Sequence, residues 1–76
     1  MNINRKAESL ALNLYLIRKK NGLTQKEMAK RIGIGINTLR KLEKGIISSR
    51  VSVGLLFNIS NEFNIEPHEL FIIEQE

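Results

Sequence analysis

The 76-residue sequence predicts an all-α fold: one small domain, residues 1–76, built as a compact bundle of five short helices. Three observations predict it. Apolar residues recur at helical spacing in several segments. Residues 22–45 carry two successive cap-and-staple patterns, each closed by a glycine. Seventy-six residues are too few for two hydrophobic cores, and no Pro/Gly/Ser-rich linker or repeat divides them.

Helix one is expected over about Ala7 to Lys20. Leu10, Leu14 and Ile17 fall on one face at i, i+4 and i+7 and should pack on the helices that follow. Leu12 and Leu16 point the other way, with Tyr15 between the faces. They read either as scattered surface apolars, which are common, or as a second buried contact with the N-terminal arm or another subunit.

Helix two starts at Thr24, an N-cap with Glu27 three residues on, so the pair makes a capping box. Leu23 and Met28 supply the hydrophobic staple, Ala29 is small enough for a second helix to cross closely, and Ile32 closes the stripe. Gly33 can take the left-handed conformation that stops the helix. The grammar then repeats: Ile34 precedes a Gly35 cap, Leu39 lies four positions after it and Leu42 one turn later, with Gly45 as the second stop. Two helices folded on each other by a glycine turn, one showing a polar, basic face, form a helix-turn-helix, a device that presents one helix to the major groove of DNA.

Helix four begins at the N-cap Ser52 and runs to about Glu62. Val53, Leu56, Ile59, Ser60 and Phe63 are expected inside, with Leu55 and Phe57 flanking, and the Ser60 hydroxyl can return to the carbonyl one turn back. Helix five starts at Pro67, whose fixed φ suits a first helical position, with Glu69 in its first turn. It is short and ends in Leu70-Phe71-Ile72-Ile73. His68 falls in its first turn, facing solvent, and is assigned no role.

The charge is segregated. All twelve Lys and Arg lie in residues 1–50 against Glu8, Glu27 and Glu43, a net +9; residues 51–76 hold five Glu and no basic residue, a net −5. A basic front attracts phosphate backbones through ion pairing and counterion release. Cysteine and aspartate are absent and there is one histidine, so a Ser-His-Asp triad, a two-histidine zinc site and paired aspartates cannot be assembled in one chain. The expectation is a non-enzyme without metal or cofactor. The apolar run Leu10–Ile17 is broken by Asn13, ends in Arg18-Lys19-Lys20 and is far shorter than the roughly 20 residues that span a bilayer, which predicts a soluble, cytoplasmic protein.

With Leu23-Thr24-Gln25, Ala29, Gly33, Ile34, Leu39, Leu42 and Glu43-Lys44-Gly45 at these spacings, the chain resembles the Cro/repressor-type (XRE-like) helix-turn-helix family of bacterial and phage transcriptional regulators. Leu14, Ile17 and Arg18 look like the end of that family's first helix. Ser52, Val53, Leu56, Ile59, Ser60 and Phe63 look like its fourth, and Pro67 to Phe71 like its fifth. The resemblance covers about residues 10–71 and implies the lambda-repressor-like fold. The departure is the connection from Gly45 to Ser52, about two residues longer than usual, with Val51 where proline is typical.

The resemblance implies a sequence-specific DNA-binding regulator, a repressor, that reads the major groove with residues 36–44 as a homodimer on a palindromic operator. By that likeness Ile36, Asn37 and Arg40 or Lys41 occupy base-reading positions. Asn37 can bond the N7 and N6 edge of adenine, Arg40 can fork onto guanine, and Ile36 can press on a thymine methyl. Gln25 matches the family's phosphate-bonding residue, where the free N–H groups of a helix end add to it. Arg18, Lys26 and Lys44 are the next phosphate candidates, and Ser48, Ser49 and Arg50 follow because related proteins touch the backbone with this loop. The dimer is expected through the C-terminal third, with Leu70, Phe71, Ile72 and Ile73 first and Ile46 and Ile47 second. The competing reading is a protein-interaction module or antitoxin-like partner that keeps the fold without reading DNA, suggested by Ile36, Ile46-Ile47 and the acidic, apolar-ended back.

Overall fold

The computed structural model describes residues 3–48 and 51–72, the first four of them for the backbone alone. Four α-helices, α1 (Ile3–Lys20), α2 (Gln25–Ile32), α3 (Ile36–Glu43) and α4 (Val53–Phe63), are followed by a 3-10 turn, Pro67–Phe71. No strand occurs among the described residues. The expected fifth α-helix is therefore corrected to this turn. Five residues are barely one α-helical turn, and so short a segment closes more readily through i to i+3 bonds. Here the Glu69 N–H donates to the Glu66 carbonyl at 3.0 Å.

α1 begins four residues earlier than expected, because residues 3–6 contain no glycine or proline to stop a helix growing back from Ala7. It ends where Gly22 turns left-handed, with φ 67°, and the Leu23 N–H returns to the Arg18 carbonyl at 3.0 Å. The α2 cap is the reciprocal box: the Glu27 N–H donates to the Thr24 hydroxyl at 3.0 Å and the Thr24 N–H to the Glu27 carboxylate at 2.9 Å. Gly33 stops α2 at φ 81° and Gly35 caps α3.

A Cβ at Gly33 would meet nothing within 4 Å, but a β-branched residue is strained at that φ. Gly33→Val should lower stability by about 1–3 kcal/mol. Circular dichroism melting checks this, and an unchanged melting temperature would contradict the turn.

The Thr24 bonds, the backbone N–H first and the hydroxyl second, hold the Glu27 carboxyl below its ordinary pKa. A depressed folded-state pKa stabilises above the unfolded value, and that contribution is lost as pH falls through the folded one. Glu27→Gln should therefore melt lower than the parent at neutral pH. The gap should close as pH drops below the ordinary glutamate range, which paired melts across pH would reveal.

The core is Leu10 and Leu14 of α1, Met28, Ala29 and Ile32 of α2, Leu39 and Leu42 of α3, Leu55 and Ile59 of α4, and Leu70 of the turn. α1 packs on α3 and the turn, α2 on α3 and α4, and α4 on the turn. Leu12, Tyr15 and Leu16 lie at the surface. Of the residues expected inside α4, Ile59 and Ser60 are buried and Leu56 and Phe63 pack partly against the core, whereas Val53 is 66% exposed and the flanking Leu55 is buried instead. At 100° per residue Leu55 and Ile59 share a face one turn apart, and Val53 lies about 200° from Leu55. Ser60 behaves as expected, its hydroxyl donating to the Leu56 carbonyl at 3.0 Å.

The 3-10 turn is stitched to α1 by a residue visible in sequence only as a break in an apolar run. The Asn13 side-chain amide lies 3.2, 2.8 and 2.9 Å from the carbonyls of Glu69, Leu70 and Ile72. Leu70 is fully buried and Phe71 packs partly against the core. The expectation that both line a dimer interface is corrected for Leu70 outright and for much of Phe71, since their apolar area is spent within one copy. Ile72 is 46% exposed, and Ile73 lies outside the described residues.

Candidate nucleic-acid interface

α3 buries Leu39 and Leu42, which leaves Asn37, Arg40, Lys41 and Lys44 at i, i+3, i+4 and i+7 on the solvent side. Three of the four are cationic. Thr38 is half-buried. Ile36 departs from its expected outward role: at the first position of α3 it is half-buried and packs against the core, since helical side chains lean toward the N-terminus.

Behind this face three helices meet in one hydrogen-bonded chain. The Arg18 guanidinium of α1 donates from Nε to Glu43 Oε2 at 2.8 Å and from Nη2 to Oε1 at 3.2 Å. Its Nη1 donates to the Leu23 carbonyl at 3.1 Å. The two side chains are 12% and 7% exposed. Gln25, first residue of α2, donates from Nε2 to Glu43 Oε1 at 3.1 Å. Arg40 then donates from Nε to Gln25 Oε1 at 3.5 Å and from Nη1 to Asn37 Oδ1 at 3.4 Å.

This geometry moves Arg18 out of the phosphate-contacting set. Its fork is committed to a buried carboxylate, a pairing that satisfies two charges at once and holds α1 against the end of α3. Glu43 is the residue that sequence reasoning leaves without a task. Its signal is faint: one of only three acids in the basic half, two residues before a glycine stop.

Lys26, Lys41 and Lys44 are exposed, as a phosphate or base contact requires. Ser48 is half-buried, while Ser49 and Arg50 lie outside the described residues. The Val51 N–H donates to the Ser48 carbonyl at 3.1 Å, a bond that the proline typical of this position could not make. Ile46 and Ile47 are about half exposed, 52% and 48%, and Phe57 of α4 joins them at 51%. Arg31 is not a free cation: it pairs with Glu62 of α4 at 2.7 Å and lies 4.9 Å from the centre of the Phe63 ring. Among the described residues no group of three or more His or Glu is placed to hold a metal ion, and no helix is long and apolar enough to cross a membrane.

A helix-turn-helix family model matches residues 14–70. Two relatives from Archaeoglobus fulgidus, both described as uncharacterized HTH-type transcriptional regulators, are 39% and 37% identical to this chain over 59 residues. The matches cover 78% of this chain and 81% and 80% of the relatives. No solved structure matches the chain. The capped α2–α3 pair with its glycine turn, the exposed polar face of α3 and these matches agree: the chain belongs to the XRE-type helix-turn-helix family.

Proposed function

We propose that this protein is a sequence-specific DNA-binding transcriptional regulator, a repressor, that lays α3 in the major groove and works as a homodimer on a palindromic site. The observation that carries the reading is the polar, cationic face Asn37, Arg40, Lys41 and Lys44, free of the core and supported from behind by residues of all three first helices. The naming of both relatives as transcriptional regulators supports it. So does the net +9 of residues 1–50. Lys26, Lys44 and the loop residues Ser48, Ser49 and Arg50 serve as phosphate contacts in this reading.

One recognition helix reads few base pairs, so discrimination calls for two copies about 34 Å apart on successive major grooves. The molecule measures 32 × 29 × 19 Å, so two copies side by side suit that spacing. With Leu70 buried and Phe71 partly so, Ile46, Ile47, Ile72 and Ile73 are the remaining expected dimer residues, the last outside the described residues, and exposed Phe57 and Val53 are added to them.

A mobility-shift titration across a salt series tests the function. Affinity should fall steeply with salt. Lys44→Ala should weaken all sequences alike and reduce the salt slope by about 1. Sedimentation equilibrium on the parent and on an Ile46→Glu, Ile47→Glu variant tests the dimer, and a strictly monomeric parent at tens of micromolar would reject it. The second reading, a protein-interaction module, is favoured by the exposed Ile46, Ile47, Val53 and Phe57. Salt-independent or absent DNA binding would select it.

A further inference from the structure

The hydrogen-bonded chain behind α3 has a forced direction. Both oxygens of the Glu43 carboxylate accept from Arg18, so Gln25 must turn its NH2 toward it. Gln25 Oε1 then faces the other way, and only a donor suits that side. Arg40 is there, with Nε at 3.5 Å, while Asn37 turns its own oxygen to Arg40 Nη1 at 3.4 Å. An arginine has five N–H donors. Two are engaged in this brace, and three remain, both on Nη2 among them, enough for a fork onto a base. The contacts at 3.4–3.5 Å are long beside the 2.8 Å bond of Arg18, so they bias the guanidinium without locking it.

Building on the DNA-reading function above, we infer that Arg40 sets the specificity of α3, that Asn37 and Gln25 act as its brace, and that Glu43 is the positioning residue that fixes the brace's polarity. The base read is a guanine. Asn37 would need both its oxygen and its nitrogen to read adenine, and the contact to Arg40 biases that oxygen away from a base edge. The guanidinium beside it favours an edge with two acceptors. Guanine presents O6 and N7, whereas adenine presents one acceptor and one donor. Gln25, its oxygen outward and one amide hydrogen on Glu43, is poorly set to grip a phosphate, which only accepts.

Selection of binding sites from random duplex DNA, followed by titration on the selected site and on versions changed at each position, tests this. Arg40 and Asn37 are solvent-exposed, so their alanine variants keep the fold. The parent should prefer one guanine per half-site by about ten- to hundredfold. Arg40→Ala should abolish that preference. Asn37→Ala, Gln25→Ala and Glu43→Gln should each reduce it several-fold at the same position while leaving the others unchanged, a pattern that a loss of stability would not produce. The Asn37→Ala, Arg40→Ala double variant should lose no more there than Arg40→Ala alone. An adenine preference erased by Asn37→Ala with the guanine intact, or a Gln25→Ala variant weakened equally on every sequence, overturns the brace while DNA reading stands. A parent protein that binds no duplex overturns both.

Discussion

Glu43→Ala should be among the most damaging substitutions on the polar side of this protein, lowering stability by about 3 kcal/mol. The side chain is 7% exposed and faces an Arg18 that is 12% exposed, so truncation leaves a guanidinium in the fold without its counter-charge. Arg18 keeps the Leu23 carbonyl, but one neutral acceptor does not replace a two-oxygen fork. For a domain this small, the melting temperature should fall by roughly 12–24 °C. An Arg18→Met, Glu43→Leu double variant should recover most of that loss, because removing both charges removes the unpaired ion. Its base preference at the Arg40 position should stay weakened, since Gln25 has no carboxylate to set it. Thermal melts of the two variants separate the reading from a simple packing role. If the double variant melts as low as Glu43→Ala, the damage comes from lost shape and not from an orphaned charge.

Leu70→Ala should cost about 2–5 kcal/mol, although it lies in a five-residue turn near the end of the sequence. Its side chain is fully buried in the main core, between α1 and α4. Removing three carbons there leaves a cavity that helices held by other contacts cannot fully close. A domain of this length has only about 4–11 kcal/mol in hand, so the variant should lose a large share of it. Ile72→Ala, at a position 46% exposed, should change stability far less. Urea denaturation of the two variants makes the comparison, and near-equal midpoints would mean that the turn does not seal the core. The pairing also separates folding from assembly, because Leu70 acts within one copy whereas Ile72 remains open to a second.

Local features were legible residue by residue. The Thr24–Glu27 box, the Gly33 stop, the Gly35 cap and the Ser52 cap all stand where the sequence places them. Each depends on residues within one turn of one another, and on side chains whose donors and acceptors have few other uses. The outward face of α3 was legible for the same reason, since Leu39 and Leu42 leave Asn37, Arg40, Lys41 and Lys44 on the other side. Ile36 was not. Its position suggests a reader, but an isoleucine beside a core lowers its free energy by leaning into it. Within α4 Leu56, Ile59, Ser60 and Phe63 face inward as expected, but Val53 and Leu55 exchange roles, because the first turn is apolar on more than one side.

By itself the sequence determined four of the five expected helices, the caps and stops of α2 to α4, the basic front, and the face of α3 turned to solvent. Those properties are written in spacings of three and four residues and in charge counts. The tertiary structure alone decided the destination of Arg18, the work of Glu43, the tie from Asn13 to the turn, the burial of Leu70 and the choice of Leu55 over Val53 in α4. The partners of Arg18 and Glu43 lie 25 residues apart, and those of Asn13 lie 56 to 59 apart. A guanidinium near a helix end suits a phosphate or a carboxylate equally well as chemistry. Which one it meets depends on what packing places within 3 Å of it, and here packing places Glu43 there.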